Sequence, residues 1–374
     1  MRAGLIVNPT AGMGGSVALK GTDGVAEEAR RRGGAPVAPR RAVRAVAALR
    51  DVAPGARLVT CAGAMGEDEA RQTGATVEAV LPVAASTTAE DTRRAAARML
   101  ELGVDLLLFV GGDGTAADVY AAVGAQVPVV GVPAGVKMHS GVFATTPEAA
   151  GLLAARFLTK RATRVAACEV MDIDEELLRS GVLAPRLLGY LDVPDNGALT
   201  QHPKRRGPTD REARRALGQA VADELETGAL VAVGPGTTAG AVMEQLGLPH
   251  TLLGFDLIRD GALVAADVRE RDLLEHADVL RVVLAPTSGQ GALLGRGNQQ
   301  LTPAVLRCVG PGRLRIVATR ERLAALQGRP LLIDLDDANV AAQLAGIRPV
   351  LVGPRRVVHY PVLAPRIRDG GLDR

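Results

Sequence analysis

The sequence predicts an α/β protein, with a doubly wound N-terminal domain followed by a second α/β or β-rich domain. Three observations predict it. The chain has 374 residues, beyond the size at which one hydrophobic core stops growing, so two domains are expected. Short Val/Leu runs alternate with Ala/Arg-rich stretches through the first third, as strands and helices in turn would. Those runs are apolar throughout rather than alternating, which suits a parallel sheet covered on both faces.

Taken in order, the strands expected in the first third are residues 5–7, 57–60, 77–81, 106–110 and 127–132. The helix before the fourth of them begins at Thr87, with Glu90 three residues on as the other half of a capping box. Thr146-Pro147-Glu148 opens the next helix, with Pro at the first helical position, where its missing N–H costs nothing. The domain boundary is drawn just before it. Residues 1–143 form the first domain and 144–374 the second, whose last segment is able to return to the first. Residues 192–208 carry Pro, Gly, His and basic residues without periodicity and read as a long loop; Thr209 and Glu212 then cap a helix. Later strand candidates are residues 230–233, 251–258, 262–268, 281–285, 314–318, 331–335 and 349–352. Asp260-Gly261 marks a hairpin between two of these.

Composition narrows the function. Aromatic residues make up 2% of the chain and Trp is absent, so no pocket built on aromatic stacking is expected. A net charge of +3 is no nucleic-acid footprint, which needs a clustered basic face. The Arg-rich run over residues 30–50 reads as the solvated face of a helix. No apolar stretch approaches transmembrane length, so no membrane partner is expected and the location is expected to be cytoplasmic. A homo-oligomer is left open. Cys61, Cys168 and Cys308 are widely spaced, which implies neither a zinc site nor a disulfide framework.

The chemistry concentrates in turns that follow strands. Residues 106–110 run into Gly111-Gly112-Asp113-Gly114-Thr115 and then a helix. Glycines delivered to a helix N-terminus let backbone N–H groups approach phosphate oxygens. Asp113 would repel a phosphate, so its presence makes sense if it binds Mg²⁺ or takes the proton of an attacking hydroxyl; the plain reading is a tight capped turn. After the first strand come Asn8-Pro9-Thr10-Ala11-Gly12 and Gly14-Gly15, where Asn8 offers an amide and Gly12 close approach. After the fifth, Lys137, His139 and Ser140 put a cation, a titratable donor and a hydroxyl on one loop, which otherwise reads as an exposed connection. Strand ends of an open α/β sheet share one crevice, so these loops are expected to meet. In the second half Gly236, Thr237 and Thr238 form a further candidate phosphate turn, as readily explained as a simple helix cap. Arg296, Asn298 and Gln299 are an additional polar group on a Gly-rich loop.

These strings together resemble the NAD kinase/diacylglycerol kinase superfamily, and within it the AcoX-type branch of ATP-NAD kinase-like proteins. The residues that carry the resemblance are 8–15, the Gly111–Thr115 turn, 132–144, 169–176 and 295–300. The resemblance implies a first domain of NAD kinase type, and transfer of phosphate from ATP with Mg²⁺ to the adenosine-ribose 2′-hydroxyl of NAD. It carries Asp113 over as the residue that organises the metal or activates that hydroxyl. Residues 200–206 and 287–291 depart from the strings that relatives carry there. Two alternatives therefore stay open: a kinase of another hydroxyl-bearing metabolite or nucleotide, and a non-catalytic nucleotide sensor. On the kinase reading the cover over the site is expected from residues 192–208, with Lys204, Arg205 and Arg206 offsetting phosphate charge.

Overall fold

The computed structural model describes residues 1–19, 24–84, 87–135, 138–161, 164–173, 185–195, 210–287, 291–364, 367–368 and 371–372. A parallel sheet carries the first domain. Its strands are β1 (Arg2–Val7), β2 (Arg57–Cys61), β3 (Thr76–Leu81), β4 (Leu106–Gly111) and β5 (Val129–Pro133), in the order β3-β2-β1-β4-β5. Every position of β4 and β5 is buried, which explains why these runs are apolar throughout. Around them lie α1 (Ala26–Arg31), α2 (Ala38–Val52), α3 (Glu67–Gln72), α4 (Ala89–Glu101), α5 (Asp113–Val123) and α6 (Pro147–Leu158). The chain steps outward from β1 to β3 and then crosses back to β4. The switch point between β1 and β4 is where open α/β sheets offer a ligand crevice beyond the strand ends.

All five strands expected here form. The capping box of α4 falls one residue later than expected. Thr88 is the cap, and its N–H and hydroxyl both donate to Asp91 Oδ2, at 2.8 and 2.9 Å. Thr146 caps α6 as expected, accepting from the Ala149 N–H at 3.1 Å.

The first core runs past residue 143. It takes in Ala149 to Ala155 of α6, and Val170, Leu191 and Val193 of the antiparallel ribbon β6 (Val165–Ile173) and β7 (Pro185–Pro194). Helix α6 lies flat on α2 because Gly151 has no side chain; a Cβ there would come within 2.0 Å of the Ala45 carbonyl oxygen. Strand β7 also absorbs the start of the expected loop. Residues 196–209, with Lys204, Arg205, Arg206 and Thr209, lie outside the described residues.

The second domain is a mixed sheet in the order β10-β9-β8-β11-β13-β15-β16-β14-β12. Its strands are β8 (Leu230–Val233), β9 (Phe255–Arg259), β10 (Ala262–Val268), β11 (Arg281–Leu284), β12 (Ala292–Leu294), β13 (Leu314–Val317), β14 (Leu331–Ile333), β15 (Gly346–Gly353) and β16 (Arg356–Leu363). Among the described residues it is accompanied by α7 (Asp210–Asp223), α8 (Thr237–Gln245), α9 (Glu270–Leu274), α10 (Pro303–Val309), α11 (Arg320–Ala324) and α12 (Ala338–Leu344). Asp260 and Gly261 both have positive φ, 50° and 72°, as a two-residue hairpin turn between β9 and β10 requires. Strand β9 starts later than expected, since residues 251–254 form a turn. Strand β16 pairs with β15 and β14 in the second sheet.

One carboxyl in the first domain makes its stability depend on pH. Burial pushes Glu69, on α3, up from an ordinary 4.5 to about 7. The fold therefore holds this proton more tightly than the unfolded chain does. The stabilisation is complete below about 4.5 and is lost as pH rises through about 7. Glu69→Gln is expected to remove this dependence and to stabilise the protein at pH 8 by up to about 3 kcal/mol. Urea unfolding at pH 5 and pH 8 checks it, and an equal effect of the substitution at both pH values would refute it.

Candidate active site

The site begins at the end of β4. Gly112, in extended conformation, caps α5, and Asp113 is its first residue. The first N–H groups of a helix have no partner within it, and the helix dipole favours negative charge there. Gly111, Asp113 and Thr115 are buried, Gly112 is half-buried, and Gly114 is exposed.

The Asp113 carboxylate is 9% exposed and already engaged. Its Oδ2 accepts from the His139 N–H at 2.7 Å and its Oδ1 from the Ser140 N–H at 3.0 Å; the His139 ring Nδ1 lies 3.6 Å from Oδ2. The loop after β5 reaches Asp113 because it is fastened on both sides. Gly131 N–H donates to Val142 O and Ala144 N–H to Gly131 O, each at 2.9 Å. Gly141 N–H donates to Glu169 O at 2.8 Å, and the Ser140 hydroxyl accepts from Met171 N–H at 3.0 Å. A carboxylate offers about four lone-pair sites, so two bonds leave Asp113 with capacity for a cation or a hydroxyl. Lys137 lies outside the described residues.

The loop after β1 joins the same group. Asn8 Nδ2 donates to Thr115 Oγ1 at 3.1 Å, and Asn8 Oδ1 accepts from the N–H and hydroxyl of Thr10 at 3.2 and 3.1 Å. Asn8 and Thr115 thus brace one loop against the other. Gly12 has φ +80°, and a Cβ on it would come within 2.4 Å of the Ala134 carbonyl oxygen, so only glycine fits. Ala134 and Gly135 N–H groups in turn donate to Gly111 O at 2.9 and 3.1 Å. The three strand-end loops therefore converge as the sequence predicts.

Gly236, Thr237 and Thr238 do not join them through any hydrogen bond among the described residues. Their turn is fastened within the second domain, by Gly236 N–H to Leu252 O at 2.9 Å and by His250 Nε2 at 3.3 Å from Gly236 O. The other nitrogen of His250 lies 3.1 Å from Asp256. Burial of Asp256 is outweighed by its bonds from His250, Thr251 and Asp267, which hold its carboxyl down at about 2. His250 thus has a structural partner that its isolation in the sequence did not suggest.

The second domain approaches the crevice instead through residues 295–300. Gln299 Nε2 donates to Gly135 O at 3.3 Å, and its Oε1 lies so near Gly15 that a Cβ there would be 1.8 Å away. Arg296 is 5% exposed. Burial pulls its guanidinium down to about 10, against the pull of Asp334 and Asp113.

Behind the crevice lies an ion network that the sequence reading missed. Arg41, buried on α2, donates to Asp334 Oδ2 at 2.6 Å and to Pro133 O at 2.7 Å. Arg44 reaches Asp334 Oδ1 at 3.1 Å, Glu148 Oε1 at 2.6 Å and Asp336 Oδ1 at 2.9 Å. Burial alone would raise the Asp334 carboxyl, but Arg41, Arg44 and Arg296 hold it below the ordinary range. The expected solvated face therefore describes Arg40 and Arg50, while Arg41 and Arg44 face the second domain. Their i, i+3 spacing puts both on one face of a helix, the one signal that could have singled them out.

Two family models match the chain in order. That of the ATP-NAD kinase N-terminal domain covers residues 4–162 and that of the ATP-NAD kinase C-terminal domain residues 229–362. The chain belongs to the ATP-NAD kinase family. Both models are of domains of an ATP-dependent kinase, a transferase. No curated protein matches this chain. Among solved structures it is similar to a Bacillus anthracis str. Sterne protein described as a candidate diacylglycerol kinase. Sequence identity is 15% and the TM-score 0.25, over 61% of this chain and 58% of that one. The chain thus spans a little over half of that neighbour's length, and the likeness is too slight to bear on fold or substrate. Among the described residues no helix is long and apolar enough to cross a membrane.

Proposed function

We propose that this kinase phosphorylates the adenosine-ribose 2′-hydroxyl of NAD with ATP, at the crevice where Asp113 meets the loops after β1 and β5. The observation that carries the reading is the Asp113 carboxylate, fixed by the His139 and Ser140 N–H groups at the N-terminus of α5. A carboxylate held beside a phosphate-binding helix end is a liability to a protein that only binds nucleotide, and an asset to one that must move a proton. The family resemblance supplies the acceptor.

In the reaction the hydroxyl oxygen forms a bond to the γ-phosphorus of ATP as the bond from that phosphorus to the β,γ-bridging oxygen breaks, releasing ADP. Asp113 accepts the hydroxyl proton at a carboxylate oxygen. The open N–H groups of α5, with Gly111, Gly112 and Gly114, hold phosphate oxygens, and Gly12 lets the first loop approach them. Asn8 and Thr115 keep the two loops in register. His139 and Ser140 hold the Asp113 carboxylate on the substrate side. The donor set fits a hard cation of the Mg²⁺ kind: one carboxylate with spare lone pairs, beside phosphate oxygens of the substrate. Bound there, it would neutralise phosphate charge.

The test is labelled ATP offered with a panel of hydroxyl acceptors that includes NAD. Label appearing in NADP supports the reading. Transfer to another acceptor would replace NAD and keep the kinase. ATP bound but never consumed with any acceptor would leave a nucleotide sensor and overturn the proposed reaction.

A further inference from the structure

The loop that the second domain sends to the crevice is built to keep its shape. Asn298 Oδ1 accepts from Gly295 N–H at 3.0 Å, and Asn298 Nδ2 donates to Leu293 O at 2.7 Å. Leu301 N–H closes the turn by donating to Asn298 O at 3.0 Å. Gly295, at φ +90°, lies so close to β14's continuation that a Cβ would stand 1.9 Å from the Asp334 carbonyl oxygen. Asn298 is thus committed to its own loop, and the amide that this frame hands to the first domain is that of Gln299.

Gln299 enters between two strand-end loops. Its Nε2 donates to Gly135 O at 3.3 Å. A backbone carbonyl can only accept, so this bond decides which way the amide faces. The nitrogen points to the loop after β5, and Oε1 lies against Gly15 in the loop after β1. Glycine is needed there, because a Cβ would stand 1.8 Å from Oε1 and 2.5 Å from Cδ. Gly135 rests in turn on the phosphate turn, since a Cβ on it would come within 2.9 Å of Gly112 Cα. One backbone segment therefore separates the Gln299 amide from the Gly111–Thr115 turn. Oε1 is buried, and among the described residues no donor reaches it. Buried polar atoms nearly always have a partner, and a brace between the two loops would use only the nitrogen of this amide. The oxygen calls for a donor from elsewhere.

We propose that Gln299 is a specificity-determining residue, whose Oε1 accepts a hydrogen bond from an O–H or N–H group of the nucleoside whose phosphates sit at the Gly111–Thr115 turn. The identity of the ligand rests on the kinase reading above. ATP and a dinucleotide acceptor offer the same chemistry here, ribose hydroxyls and an adenine amine. A buried acceptor that a matching donor satisfies discriminates against ligands lacking that donor, because the acceptor is then left unpaired. Being uncharged, the amide selects the nucleoside and leaves the phosphates to the glycine turn.

The experiment measures affinities by calorimetry for ATP and for three analogues that each lack one donor: the 2′-hydroxyl, the 3′-hydroxyl or the adenine amine. A second arm repeats the series with NAD and its analogues. The full chain is compared with two variants. Gln299→Lys keeps a donor for Gly135 O and has no acceptor; Gln299→Glu keeps an acceptor and has no donor. The unmodified chain should bind one analogue about tenfold more weakly than its parent, the scale of one hydrogen bond. That ratio should stay within about threefold of its value in Gln299→Glu and shrink below about twofold in Gln299→Lys. Urea unfolding shows that each variant is folded; should Gln299→Lys not fold, Gln299→Met, which also lacks the amide oxygen, takes its place. Discrimination in the ATP arm assigns Gln299 to the phosphate donor, and in the NAD arm to the acceptor. An unmodified chain that tells no analogue from its parent would overturn the proposal, as would a ratio that survives loss of the amide oxygen, and Gln299 would then be a brace. If the ratio depends on Gln299 in the ATP arm but no acceptor is ever phosphorylated, the kinase reaction fails and the role of Gln299 stands.

Discussion

Asp113→Asn is expected to lower phosphoryl transfer by about 10²–10⁴-fold, the range for loss of a general base, while ATP still binds and the chain stays folded. The expectation follows from where the carboxylate is held. Two backbone N–H groups fix it from one side, leaving its remaining lone pairs toward the crevice. Asparagine has one oxygen and one NH₂ group, so one of those two N–H groups would then face a donor. Some loosening of residues 138–140 should accompany the loss of chemistry. Turnover and ATP affinity measured together separate the two effects. Affinity within a few-fold and turnover down by orders of magnitude supports the role; turnover close to that of the unmodified chain would remove Asp113 from the mechanism.

The second large effect concerns stability. Arg41→Met should cost about 3–5 kcal/mol, because removing one partner of a buried ion pair leaves the other charge stranded. Both side chains of the Arg41–Asp334 pair are nearly inaccessible, at 5% and 1% exposure, and Arg41 also satisfies Pro133 O. Adding Asp334→Leu to Arg41→Met should recover much of the loss, since apolar residues of similar volume often replace a buried pair without penalty. Chemical unfolding of the two single variants and the double variant measures this coupling. A cost below about 1 kcal/mol for Arg41→Met would put the pair in the class of surface salt bridges instead.

The first sheet was legible in the sequence because its strands are buried on both faces, and unbroken apolar runs such as residues 106–110 have few other uses. The glycine turns were legible for the same reason, since each interrupts such a run at its carboxyl end. What escaped was whatever depends on a distant partner. Strand β12 has three residues, too few to show a period. Strand β16 carries Pro361 and buries only Val362 fully, so its pairing with β15 and β14 comes from the sheet rather than from its own pattern. Ribbon β6–β7 has little alternation and gains its place by packing Val170, Leu191 and Val193 into the first core. In the site, Asp113 could be chosen from the sequence, but its bonds to the loop after β5 could not. Arg41 looked like one more arginine in a basic run, because the carboxylate that draws it inward is encoded near the other end of the chain.

That distance has a consequence for how the protein is made. Arg41 and Asp334 are separated by 293 residues. At synthesis rates of roughly 5–20 residues per second, Arg41 emerges about 15–60 s before its partner. The sheet of the first domain can assemble in that interval, but a newly made N-terminal half must hold a guanidinium and the edges of three glycine loops open to solvent. Sealing the seam therefore follows assembly of the first sheet. Truncated or stalled chains are the species in which chaperones and proteases would find that surface uncovered.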